Sequence, residues 1–223
     1  TPGQYDVELV LQSDVPAVQL AGLRYLGSLN DVSTIPTLID RLSAGEQIAT
    51  VAQQALAGMP REAVGPALLK ALDRKEIRGP VINVLKELRY YEAIDSLIVI
   101  AADADPAVYG PALDGLRGIA DPDETDLPRL VALLCETPPG THRDEVERTI
   151  VIVCDKLPAD ADRAQGVLQA LGKADMARMM TCLPLLGRLG GEQAWQTIQP
   201  YLNSRDQTQR EAGIRALCNW PTA

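Results

Sequence analysis

One eight-residue pattern recurs along the whole chain: a small residue, three places, then leucine and a closing apolar residue. It reads "GLRYLGSL", "AQQALAGM", "VINVLKEL", "ALDGLRGI", "IVIVCDKL", "CLPLLGRL" and "GIRALCNW". The fifth residues are Leu26, Leu56, Leu85, Leu116, Cys154, Leu186 and Leu217, spaced by 30, 29, 31, 38, 32 and 31 residues. A near-constant period of this length is the mark of a repeat architecture. About nine residues after each comes a second apolar run: "IPTLIDRL", "VGPALLKAL", "AIDSLIVIA", "LPRLVALL", "AQGVLQAL" and "AWQTIQPYL". Apolar residues at i, i+3 and i+7, as in Ile35, Leu38 and Leu42, give each run one buried stripe on a helix. Asn30-Asp31, Pro60, Asp121-Pro122 and Gly190-Gly191 stop the first helices. The unit is a helical hairpin that buries its stripe only against stacked neighbours. Gly22, Ala52, Ala112 and Gly213 open their signatures with small side chains, which permits close helix approach.

Composition agrees with helices. The chain is 46% hydrophobic but only 4% aromatic, has no Phe and is dominated by Leu and Ala, whereas strands favour aromatic and β-branched residues. The expectation is an all-α solenoid, a right-handed superhelix, in one continuous domain. It comprises a partial leading helix over 1–12, about six hairpins over 13–204 and a partial terminal repeat over 205–223. The ends read as a segment cut from a longer solenoid, with Ile214, Leu217 and Trp220 awaiting a neighbour. The 38-residue spacing places about six extra residues around "ETPPGTHRDE", read as a surface loop because of its prolines and glycine.

The units resemble HEAT repeats of the short type found in phycobiliprotein-lyase-like proteins. Asp105, Pro106, Val108, Ala112, Leu116, Ile119, Asp121, Pro128 and Leu130 match that pattern, as do Asp14, Val18, Leu26, Gly27, Leu29, Asp31, Pro36 and Leu38. The family's ladder arginine is present as Arg78 and Arg210, while Gln19, Tyr109 and Glu147 replace it elsewhere. The resemblance implies the solenoid fold and a scaffold or adaptor role. It also implies the alternative, a bilin-lyase-like enzyme.

Charge and motifs narrow the chemistry. A net charge of −9 opposes nonspecific attraction to nucleic acid, and no apolar run approaches the ~20 residues of a membrane helix. The chain begins at Thr1 with no signal-peptide pattern, so it reads as a processed or excised form. The expected compartment is open: cytoplasmic, or extracytoplasmic after removal of a signal peptide. Cys135, Cys154, Cys182 and Cys218 form no CxxC, which disfavours zinc. Three sit in apolar helical runs as small hydrophobes, and their spacing leaves a disulfide open. His142, the sole histidine, reads as a solvated loop residue. The glycines of "GRLGGEQ" read as a helix cap and turn, not a phosphate cradle. Asp121, Asp123, Glu124, Asp126, Asp160 and Asp162 read as helix caps in preference to calcium ligands. Tyr90 and Tyr91 either close the hydrophobic seam or anchor a partner.

The expected function is therefore a non-enzymatic scaffold for a protein or peptide, with no cofactor, no metal and no catalytic residues. Its binding centre is expected on the concave face, on the second helix of the third unit. Val99 stands where other units carry Asp40, Lys70, Ala132, Gln169 and Pro200, an outward position; Ile100 aligns with Arg41, Ala71, Leu133 and Ala170. An apolar strip through Ala71, Val99 and Leu133, with Ile100 beside it, would be rimmed by Lys70, Asp95 and Arg129.

Overall fold

The structure is a computed structural model that describes residues 10–221. Among the described residues there are thirteen α-helices and no strand. The chain divides into two compact units, one ending at Ser96 and the other beginning at Leu97.

The first unit contains α1 (Pro16–Leu29), α2 (Ile35–Asp40), α3 (Glu46–Ala57), α4 (Arg61–Ala71) and α5 (Arg78–Glu87). The boundary falls within α6 (Ile94–Ala101). The first helices pack on one another, α1 on α3 and α3 on α5, while α2 packs on α4. Leu26, Leu56 and Leu85 of the recurring pattern are all buried. Close approach depends on small residues: a Cβ added to Gly27 would stand 2.7 Å from the Ala55 Cβ. Gly65 leaves room for the Tyr90 ring, which a Cβ would strike at 2.2 Å. Tyr90 is buried there, whereas Tyr91 is exposed, so the tyrosine pair splits between seam and surface.

The second unit continues with α7 (Pro106–Ile119), α8 (Asp126–Glu136), α9 (Thr141–Cys154), α10 (Arg163–Leu171), α11 (Met176–Leu189), α12 (Glu192–Leu202) and α13 (Gln207–Cys218). Here α7 packs on α9, α9 on α11 and α11 on α13; α8 packs on α10 and α10 on α12. First helices thus form one layer and second helices another. Carboxylates start several helices: Asp105 accepts from Ala107 N at 2.9 Å, Asp175 from Arg178 N at 2.8 Å and Asp206 from Gln209 N at 3.0 Å. An acceptor there satisfies donors that have no intrahelical partner.

A side chain near the start of a first helix also closes the helix before it. Gln19 Nε2 donates to the Ser13 carbonyl (2.6 Å), Arg78 Nε to Leu72 (2.9 Å), Arg143 Nε to Thr137 (2.7 Å) and Arg210 Nη1 to Ser204 (2.9 Å). Each reaches back six residues to a carbonyl at the end of a preceding run. This corrects the alignment of Glu147: α9 starts about one turn earlier than the period requires, and Arg143 takes the closing role. The expected surface loop shrinks accordingly. Only residues 137–140 are non-helical, with Gly140 at φ +139° opening α9, and His142 lies in its first turn.

Candidate functional site

The residues of the strip expected from the repeat alignment differ in exposure. Val99 is 75% exposed, as its outward position requires, and Lys70 and Asp95 are also exposed. Ala71 (5% exposed) and Leu133 (4%) are buried, each within its own unit, and Ile100 is half-buried. The reason is rotational. On α8 the residues Leu127, Leu130, Val131, Leu133 and Leu134 are all buried, so its apolar arc is wide enough to draw in the position aligned with Ile100. Arg129, half-buried, lies 3.6 Å from the carboxylate of Asp126.

The acidic turns are occupied by caps. Asp123 Oδ1 accepts from Thr125 N (2.9 Å) and Asp126 N (2.8 Å); buried Asp126 accepts from Asp121 N at 3.0 Å. Burial raises the Asp126 pKa, and the Asp121 N–H partly opposes it. Asp162 joins two hairpins: Oδ1 accepts from Ala164 N at 3.0 Å and Oδ2 from Gln193 N at 3.2 Å. Among the described residues, no group of three or more His, Cys, Asp or Glu is placed to hold a metal ion. Gly190 ends α11 at φ +67° and Gly191 precedes α12 at φ +89°, the expected cap and turn.

His142 is half-buried and packed, not a free loop side chain. Its ring stacks on Tyr109 with centroids 4.0 Å apart, and Nε2–H donates to the Ala101 carbonyl at 2.8 Å. Trp220 is half-buried and meets Trp195 edge-on, 6.3 Å between centroids. Ile214 is 50% exposed.

The arrangement that the repeat pattern did not suggest is a groove of about 300 Å³ across α9, α11 and α13. Its walls carry Arg143, Met180, Thr181, Pro184, Thr208 and Arg215, and Glu147 lies in it although only 4% exposed. Arg188 Nε approaches Glu147 Oε2 at 3.4 Å, yet this buried nitrogen makes no hydrogen bond. Burial pushes the Glu147 carboxyl above its ordinary range, while Arg188 pulls it back. Pro184 has no N–H, so the Met180 carbonyl lacks its usual donor four residues on. The groove therefore combines a backbone carbonyl without its usual helical donor, a nearly buried carboxyl, arginine donors and an aliphatic wall. The sequence signal available was weak: a Glu at an arginine position and a Pro inside an apolar run.

Within each unit, first helices pack on first helices and second on second at a repeating spacing, the arrangement of an all-helical repeat protein. No family model matches the chain, and no curated protein matches it. Two crystal structures of engineered proteins are similar at a low level. One has a TM-score of 0.42 at 18% identity, covering 96% of this chain and 67% of that one. The other has a TM-score of 0.38 at 17% identity, covering 96% of each. Among the described residues, no helix is long and apolar enough to cross a membrane.

Proposed function

We propose that the chain is a non-enzymatic binding scaffold, a HEAT-like helical-repeat solenoid that takes a protein or peptide segment in the groove of α9, α11 and α13. The observation that carries this reading is the Glu147–Arg188 pair at a cavity: the carboxyl is nearly buried, and Arg188 Nε, 3.4 Å away, is buried without a hydrogen bond. A buried polar group of this kind is costly until hydrogen-bonded. A peptide brings amide donors for Glu147 and the Met180 carbonyl, carbonyl acceptors for the arginines, and side chains for the Met180–Pro184 wall. The cavity volume of about 300 Å³ suits side chains of a bound segment. This reading is preferred to the strip centred on Val99 because Ala71 and Leu133 are buried.

The test is peptide selection by display on the folded chain, followed by calorimetry on variants. Arg215 is exposed at the groove, so Arg215→Glu should leave folding intact and weaken selected peptides at least tenfold. Val99→Asp should leave their affinity unchanged. Peptides lost on Val99→Asp and kept on Arg215→Glu would return the site to the second-helix layer.

A further inference from the structure

The sulfurs of Cys135, near the end of α8, and Cys182, in the middle of α11, are 3.8 Å apart although the residues are 47 positions apart in sequence. The two helices pack directly against each other, so this is tertiary contact and not a consequence of local turns. The residues differ in access: Cys135 is half-buried and Cys182 is fully buried. Cys154 is also buried and Cys218 is exposed, and the structure pairs neither with another thiol. A disulfide needs about 2.05 Å between sulfurs and Cβ atoms roughly 4 Å apart; the two sulfurs here already stand 3.8 Å apart.

We propose that Cys135 and Cys182 form a dithiol–disulfide site that a low-molecular-weight disulfide oxidises. The reachable Cys135 thiolate attacks one sulfur of the oxidant and expels the other half as a thiolate, leaving a mixed disulfide on Cys135. The Cys182 thiolate then attacks the Cys135 sulfur and expels the second half. The protein loses two electrons and two protons; the oxidant is reduced to two thiols. Closure ties α8 of the second-helix layer to α11 of the first-helix layer.

The surroundings give the steps an order. The guanidinium of Arg178 lies beside Cys135, whose sulfur raises the Arg178 pKa. Burial, and then the neighbouring Cys135, hold the Cys182 thiol well above its ordinary range. Entry at the half-buried Cys135 therefore precedes closure by the buried Cys182. Closure accelerates as pH rises, because the fraction of Cys182 thiolate increases.

The experiment uses the full chain carrying Cys218→Ser, which removes the exposed thiol and leaves Cys135, Cys154 and Cys182. The folded protein is incubated with oxidised glutathione, quenched in acid, and its remaining thiols are alkylated under denaturing conditions. Alkylated thiols should fall from three to one, with a cross-linked peptide joining 135 to 182 within one chain. Adding Cys182→Ala should stop the reaction at a glutathione adduct on Cys135, with the circular-dichroism helix signal unchanged. Retention of three alkylated thiols overturns the proposal. So does an adduct on Cys135 that never closes in the chain containing Cys182, or a cross-link found only between chains.

Discussion

The imidazole of His142 lies flat on the ring of Tyr109, 8° from parallel, while its Nε2–H closes the Ala101 carbonyl at the end of α6. Tyr109 occupies the position from which Gln19, Arg78 and Arg210 reach back to close their preceding runs. Tyrosine replaces the guanidinium here, and the donor comes instead from the next first helix. His142→Ala should cost about 2 kcal/mol, roughly one hydrogen bond plus one stacked ring pair. His142→Phe keeps the stack and should cost only about 1 kcal/mol. Urea unfolding checks both; equal losses would mean that the stack contributes nothing.

Two glycines should respond in opposite directions. A Cβ on Gly187 would stand 2.0 Å from the Ala216 carbonyl oxygen, a backbone atom of the adjacent α13 that cannot rotate away. Gly187→Ala should therefore cost about 1–3 kcal/mol, the range for overpacking. Gly110, inside α7, has no positive φ, and beyond its chain neighbours and the helix backbone nothing lies within 4 Å of the same added atom. Gly110→Ala should stabilise by about 0.5–1 kcal/mol through reduced unfolded-state entropy. Melting curves of the two variants give the comparison, and a shared sign would contradict the close approach of α11 and α13.

The pH dependence of stability should carry the signature of Glu147. Its folded-state pKa lies above the ordinary 4.5 because burial outweighs Arg188. The folded state therefore holds this proton more tightly, and the contribution of Glu147 to stability falls as pH rises from 4.5 through the raised value. Relative to wild type, Glu147→Gln should gain stability across that window and hold a constant difference above it. A variant that instead loses ground as pH rises would show that the Arg188 pairing dominates.

The helices were legible in the sequence because stacking repeats the same burial at the same spacing. Leu26, Leu56, Leu85, Leu116 and Leu186 are all buried, as the recurring pattern required. Single-chain periodicity fails where one helix shifts by a turn. The residues around His142 contain two prolines and a glycine, which read as loop, but Gly140 opens a helix whose first turn packs on Tyr109. The same shift placed Glu147 at a closing position that Arg143 holds. The groove was illegible because its floor depends on which of two buried-face positions points between layers, and one residue of rotation decides that. Ala71 and Leu133 show the same sensitivity on second helices: the alignment put them in an apolar strip, and both are buried.

Calorimetry of a display-selected peptide against wild type, Arg215→Glu and Val99→Asp tests the scaffold account most directly. Val99, 75% exposed, should tolerate Asp with a stability change under about 0.5 kcal/mol, as surface positions do. The account predicts unchanged affinity for Val99→Asp and at least a tenfold loss for Arg215→Glu with an unchanged melting temperature. Peptides that bind wild type and Arg215→Glu equally well would contradict the groove as the site. Failure of repeated selections to yield any saturable binder would contradict the scaffold function itself.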